Sequence, residues 1–143
     1  MISGSTQPVR AVADLNDPAN SLASAVAATI SLARFTASCE NDLQLGVQQI
    51  LVEAHPGRFQ REFTLDRYAR PDFFCPETGI VIEIKWRPSG GSVSAVLSQL
   101  SRYATDPRVR AIVIASPSLR VLSQLPDFVC DVPLHRARLI TGL

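Results

Sequence analysis

The turn Pro76-Glu77-Thr78-Gly79 constrains this chain most, because it joins two extended segments, Arg70 to Cys75 and Gly79 to Arg87, into an antiparallel hairpin. If the hairpin is symmetric about that turn, Asp72 falls directly opposite Glu83. Opposed side chains share a face at roughly 5 Å between Cβ atoms, and Lys85 joins them because strand side chains alternate with period two. The other face then carries Phe73, Cys75, Ile80, Ile82, Ile84 and Trp86, an apolar surface suited to a covering helix. A slip of one residue would bury the charges, so the pattern fixes the register.

Lys85 is the one lysine among fourteen basic residues. A compact ammonium that can titrate has been kept where every other basic position holds arginine, whose guanidinium is effectively always protonated. Asp72 facing Glu83 is an unfavourable like-charge pair unless a cation sits between them. The ordinary explanation is a solvated hairpin face on which Lys85 pairs with a carboxylate.

Upstream, Asp17-Pro18 has the form of an N-cap followed by proline at the first helical position, and Leu22, Val26, Ile30 and Ala33 recur at helical spacing. This predicts a helix within 17–35 whose alanine-rich surface packs on the domain or on a second copy. A second helix is expected from a cap at Thr36 or Ser38 to Ala54, with Leu43, Val47, Ile50, Leu51 and Ala54 on one stripe. Glu40 falls on that stripe and should project near the buried side, although the helix dipole alone favours a glutamate in a first turn. Gln60 to Asp66 is expected to be a further strand.

After Gly90-Gly91, Ser92 is suited to cap a helix over Val93 to Thr105, in which Gln99 and Tyr103 stand one turn apart. Arg110 to Ala115 has the composition of a strand buried on both faces, and the strand-helix-strand sequence predicts a crossover to a parallel neighbour. Phe128 to Val132 is expected as an edge strand before a basic tail, His135-Arg136-Ala137-Arg138. His55 and His135 are isolated and are expected in a loop and in that tail.

With 143 residues, 46% of them hydrophobic, the chain can bury one core, which predicts a loose arm over 1–16 and one domain over 17–143. The net charge of +1 excludes a protein that coats nucleic acid indiscriminately, yet the stretch from Arg58 to Arg110 holds nine basic against six acidic residues. Cys39, Cys75 and Cys130 are too widely spaced for a zinc pattern or a disulfide framework. The N-terminus lacks the pattern of a secretory signal, and the apolar stretch from Leu22 to Phe35 is too short and polar to span a bilayer, so a cytoplasmic protein with no membrane partner is expected.

Pro71-Asp72, the hairpin and Glu83-Ile84-Lys85, preceded by Glu40 on a helix, together resemble the PD-(D/E)xK nuclease superfamily over roughly Ser38 to Ser116. Gln99-x-x-x-Tyr103 is similar to the motif of its exonuclease-type branch. The resemblance implies an α/β fold with a three-layer α/β/α restriction-endonuclease-like core: a mixed central sheet in αβββαβ order over 38–116, an additional N-terminal helix over 17–35 and a C-terminal extension over 117–143. It implies a nuclease that hydrolyses DNA with Mg²⁺ or Mn²⁺, directed by structure or ends rather than by sequence.

In that reading Asp72, Glu83 and the carbonyl of Ile84 bind the hard cation and Glu40 holds it through a water. Lys85 positions the attacking water and helps deprotonate it, or steadies the pentavalent phosphorane. Gln99 and Tyr103 orient Lys85 or contact a phosphate, with a helix-edge hydrogen bond and core packing as the plainer account of both. Arg61, Arg70, Arg87 and Arg102 grip the DNA backbone, or are simply solvated. Partners would be DNA, a second copy of the chain that supplies another active site, and a larger DNA-processing complex. Two alternatives stand beside this one: a catalytically silent or complex-dependent domain of the same kind, acting as a protein- or nucleic-acid-binding module, and an unrelated small α/β protein in which Asp72 and Glu83 are not adjacent.

Overall fold

The computed structural model describes residues 16–86 and 92–142. The expected arm up to residue 15, Arg87 and the Gly90-Gly91 turn lie outside the described residues. Helix α1 (Pro18–Leu32) begins as its sequence requires: Asp17 caps it, accepting the Ala19 amide at 3.0 Å, and Pro18 occupies the first turn, where no donor is needed. It ends earlier than the expected 35, and Arg34–Phe35 forms a short strand, β1.

Helix α2 (Glu40–Ala54) starts later than expected. Neither Thr36 nor Ser38 caps it. Cys39 holds the cap position without a side-chain bond, and Asp42 instead reaches back to the Ser38 amide and hydroxyl at 2.9 and 3.0 Å. A carboxylate in the first turn thus ties the residue before the cap to the helix, and also opposes the positive end of the helix dipole.

The expected strand over 60–66 shrinks to β2 (Gln60–Arg61), because Glu62 turns into the left-handed region at φ 54°. Strands β3 (Phe73–Cys75) and β4 (Ile80–Ile84) form the hairpin, with Phe73 paired to Ile82, Phe74 to Val81 and Cys75 to Ile80. This is the register the symmetric turn predicts. Gly79 has φ 76°, and a Cβ there would stand 2.3 Å from the Arg108 carbonyl oxygen. Gly79→Ala is therefore expected to destabilise the protein by about 3 kcal/mol or more, measured by urea unfolding, since both backbone strain and a clash with main chain must be relieved.

Helix α3 (Val93–Ala104) is capped by Ser92, which accepts the Ala95 amide at 3.1 Å. It leads to β5 (Ala111–Ser116), every residue of which is buried and which runs parallel to β4. The chain continues through a six-residue helix α4 (Leu119–Gln124), β6 (Phe128–Val129), β7 (Val132–Arg138) and β8 (Ile140–Thr141). The six-stranded sheet has the order β2-β3-β4-β5-β7-β6, while β1 and β8 pair separately in parallel.

Two expectations for the C-terminal part are corrected. The single edge strand over 128–132 is a tight hairpin, turning through Cys130 and Asp131 at φ 47° and 66°. The basic tail over 135–138 is the C-terminal half of β7, paired in parallel with β5 as part of the sheet. His135 accordingly does not sit in a tail: its Nε2 lies 2.7 Å from Asn20 Oδ1 on α1, and burial lowers its pKa. Arg136 is anchored by the Leu122 carbonyl at 2.7 Å and by Asp127 at 2.9 Å, which compensates its withdrawal from water.

Alternation along the strands divides the core in two. Phe73, Ile82, Ile84, Val113 and Ala137 face α1 and α2, whereas Phe74, Val81, Ile112, Ile114 and Leu134 face α3 and α4. Helices on both faces of a mixed sheet make an α/β architecture in three layers. The alanine-rich face of α1, with Ala19, Ala23, Val26, Ala27 and Ile30 buried, is used within the chain and is not free for a second copy. Full burial of each large aliphatic side chain contributes about 1.5–3 kcal/mol.

Candidate active site

Past the last main-chain pair of the hairpin, the two carboxylates take over the ladder. The Asp72 amide donates to Glu83 Oε1 at 3.2 Å, and the Ile84 amide donates to Asp72 Oδ2 at 2.7 Å. Asp72 and Glu83 are thus adjacent. The Asp72 carbonyl is held in turn by the Glu62 amide at 2.8 Å, so the left-handed turn at Glu62 keeps β2 against the site.

Lys85 continues β4 by donating its amide to the Ala115 carbonyl at 2.9 Å, and its Nζ lies 3.1 Å from Glu83 Oε2. Glu83 is buried at 3% exposure, while the lysine side chain keeps 20% of its surface. The hairpin thus presents a buried carboxylate to a partly wet ammonium.

Tyr103 also serves Glu83. Its hydroxyl donates to Glu83 Oε1 at 3.1 Å and receives the Gln99 amide at 3.0 Å. Gln99 and Tyr103 therefore orient the carboxylate, where the sequence suggested Lys85. Tyr103 is 1% exposed and belongs to the core beneath α3, so packing and site geometry are combined in one residue.

Helix α3 covers the Glu83 side of the hairpin, and α2 packs on the opposite face. Glu40, at the start of α2, reaches the end of β4 from that other side: its Oε1 accepts the Trp86 amide at 3.1 Å. Its charge still acts on Asp72, whose pKa it helps to raise.

A second set of polar groups comes from α2. Gln44 Nε2 donates to Asp72 Oδ1 at 3.1 Å, and the Gln44 carbonyl oxygen accepts Arg61 at 3.0 Å. Arg61 also holds Gln48 and Asn41, at 3.3 and 3.1 Å. Its guanidinium thereby fixes Gln44, and through it Asp72. Gln44 was not among the expected site residues; the available signal was its place one turn after Glu40 on the same helix face. Arg70 and Arg102 are exposed, and each lines a cleft beside Gln99.

Burial pushes the Asp72 carboxyl up to about 7, and the neighbouring Glu83 charge adds to it. Burial likewise raises Glu83, against the pull of Lys85. The Tyr103 hydroxyl is raised by burial and by Glu83, which keeps it a donor. Two carboxylates resisting ionisation with one lysine to offset them make a donor set that a hard cation would relieve. Among the described residues no group of three or more His, Cys, Asp or Glu is disposed to hold a metal ion.

No described helix is long and apolar enough to cross a membrane. No family model, curated protein or solved structure matches the chain.

Proposed function

We propose that the chain is a metal-dependent nuclease that hydrolyses DNA phosphodiester bonds, acting on structures or ends rather than on a base sequence. The observation that carries this reading is the Asp72–Glu83 pair, Glu83 buried and Asp72 half-buried, closed across the end of a hairpin with one lysine beside it. Like charges withdrawn from water are costly, and a site that retains them has a use for the field they create. Asp72, Glu83 and the Ile84 carbonyl would hold Mg²⁺ or Mn²⁺, with Glu40 acting through a water. The bound cation would polarise the scissile phosphate and make water acidic.

The chain's own residues do the rest. Lys85, 3.1 Å from Glu83 and partly open to solvent, is placed to orient the attacking water and to stabilise negative charge growing on phosphorus. Tyr103 and Gln44 hold the two carboxylates in place through the bonds described above. The test is incubation of purified protein with linear, nicked, branched and single-stranded DNA, with Mg²⁺, with Mn²⁺ and with chelator. Cleavage that needs the cation supports the reading. Wild-type protein inert on every substrate would sink it.

A second reading, a catalytically silent or complex-dependent module that binds protein or nucleic acid, has its own support. Every carboxylate oxygen of Asp72 and Glu83 already accepts a bond from the protein, so the site is satisfied without a cation. A protein that binds DNA but neither binds Mn²⁺ nor cuts would favour it.

A further inference from the structure

We propose that the open groove between the Asp66–Ala69 turn and α3 is a subsite for an unpaired nucleotide of a DNA strand, with Tyr68 as its stacking platform. The proposal rests on the nuclease reading for the fate of that strand, but not for its binding.

Tyr68 is 75% exposed. One exposed aromatic residue is unremarkable in itself, and surface hydrophobes occur singly on most proteins. What distinguishes this one is how firmly it is presented. Asp66 and Ala69 bridge the base of the turn, the Leu65 amide donates to the Ala69 carbonyl at 2.9 Å, and the Tyr68 amide donates to Asp66 Oδ1 at 2.7 Å. Leu65 and Ala69 are buried in the α3-side core, and Arg108 clamps the Leu65 carbonyl at 2.6 Å. A rigid turn thus holds an aromatic ring out in water, where it contributes little to the fold.

The ring borders a groove of about 450 Å³ whose walls include Arg67, Arg70, Gln99 and Tyr103. That volume is within the usual range for small-ligand sites. Arg67 lies over the Tyr68 ring, 5.4 Å from its centroid, and among the described residues neither Arg67 nor Arg70 is engaged in a salt bridge. An aromatic face beside two guanidinium groups, one of them already over the ring, suits a nucleobase with its phosphates. A base inside a duplex cannot offer its face, so the occupant is an unpaired nucleotide, as at a frayed end, an overhang or a branch.

The inner wall supplies the link to the chemistry. The hydroxyl of Tyr103, which lines the groove, is one hydrogen bond, 3.1 Å, from Glu83. On the far side of Gln99, Lys85 and Arg102 line a second, smaller cleft of about 230 Å³. A strand seated by Tyr68 would therefore lie beside the Asp72–Glu83 pair, with basic residues on both sides of Gln99.

The experiment is fluorescence anisotropy in chelator, so that binding is read without cleavage, using labelled blunt duplex, duplex with a single-stranded overhang, and single-stranded DNA. Wild-type protein is expected to prefer the two DNAs with unpaired nucleotides. Tyr68→Ala should weaken that binding about ten-fold or more and leave blunt-duplex binding unchanged, whereas Tyr68→Trp keeps the preference. Equal affinity of wild type and Tyr68→Ala for the overhang, or no wild-type preference for unpaired DNA, overturns the proposal. The melting temperature of Tyr68→Ala should match wild type, because the ring is outside the core. The two readings fail separately: lost Tyr68 dependence in a protein that still cuts removes the subsite alone, and Tyr68-dependent binding without cleavage removes the nuclease alone.

Discussion

Asp72→Ala, Glu83→Ala and Lys85→Ala are each expected to lower cation-dependent DNA cleavage at least a thousand-fold, on the order of 4 kcal/mol of transition-state stabilisation. The two carboxylate variants remove the oxygens that would hold the cation. Lys85→Ala is more informative, because its effect can arise in two ways. Glu83 is buried, and its ionised form depends on the ammonium 3.1 Å away; without it, the carboxyl is driven toward the neutral state. If lysine only balances charge, cleavage by Lys85→Ala recovers as pH rises and Glu83 ionises again. If it orients water or stabilises the phosphorane, no pH restores the rate. The second result is expected. Lys85→Arg should not rescue, since a larger planar guanidinium cannot take the position of a compact ammonium 3.1 Å from Glu83. Initial rates from pH 6 to 9, with circular dichroism to verify folding, decide the matter.

The metal-free protein is expected to lose stability as pH rises. Asp72 has a folded pKa near 7 against an ordinary 3.8, so between those values the folded chain holds a proton that the unfolded chain has released. Stability then falls with pH across that window and levels off above it, the reverse of the behaviour of a salt-bridged carboxylate. Glu83, also raised, acts with the same sign. A decrease in melting temperature of roughly 5 °C from pH 5 to pH 8 is expected once partial solvent access of Asp72 is taken into account. A divalent cation favours the ionised pair, so added Mn²⁺ should raise the melting temperature more at pH 8 than at pH 5. Asp72→Ala should flatten the pH slope. A melting temperature that climbs with pH in chelator would contradict the electrostatics of the site.

The hairpin was legible because its signals are local. A four-residue turn with a glycine at positive φ, alternation of apolar and charged residues from Ile82 to Trp86 and a penalty for slipping all act within twenty residues, and Asp72 meets Glu83 as that pattern requires. The capped starts of α1 and α3 were legible for the same reason. The β6–β7 hairpin was not, because Cys130-Asp131 lacks the Asn-Gly or Asp-Gly chemistry that usually marks a tight turn. Nor was β7 itself. His135, Arg136 and Arg138 give it the look of a tail, and its place beside β5 depends on partners far away in sequence: Asn20 for His135, and the Leu122 carbonyl with Asp127 for Arg136.

At the site, sequence brought forward the groups that carry charge and overlooked those that position them. Gln44 is a neutral amide on the half-buried side of α2, and its role appears only when Arg61 fixes its carbonyl and turns its amide toward Asp72. Tyr103 was placed one turn from Gln99, but spacing along one helix cannot reveal that both serve a carboxylate on another element.

Whether Asp72 and Glu83 are drawn together to hold a cation is decided by calorimetric titration of Mn²⁺ into metal-free protein at pH 8. Saturable binding is expected, and it should disappear in both Asp72→Ala and Glu83→Ala. Heat no greater than dilution in the wild-type protein, or binding that survives in both variants, would contradict it.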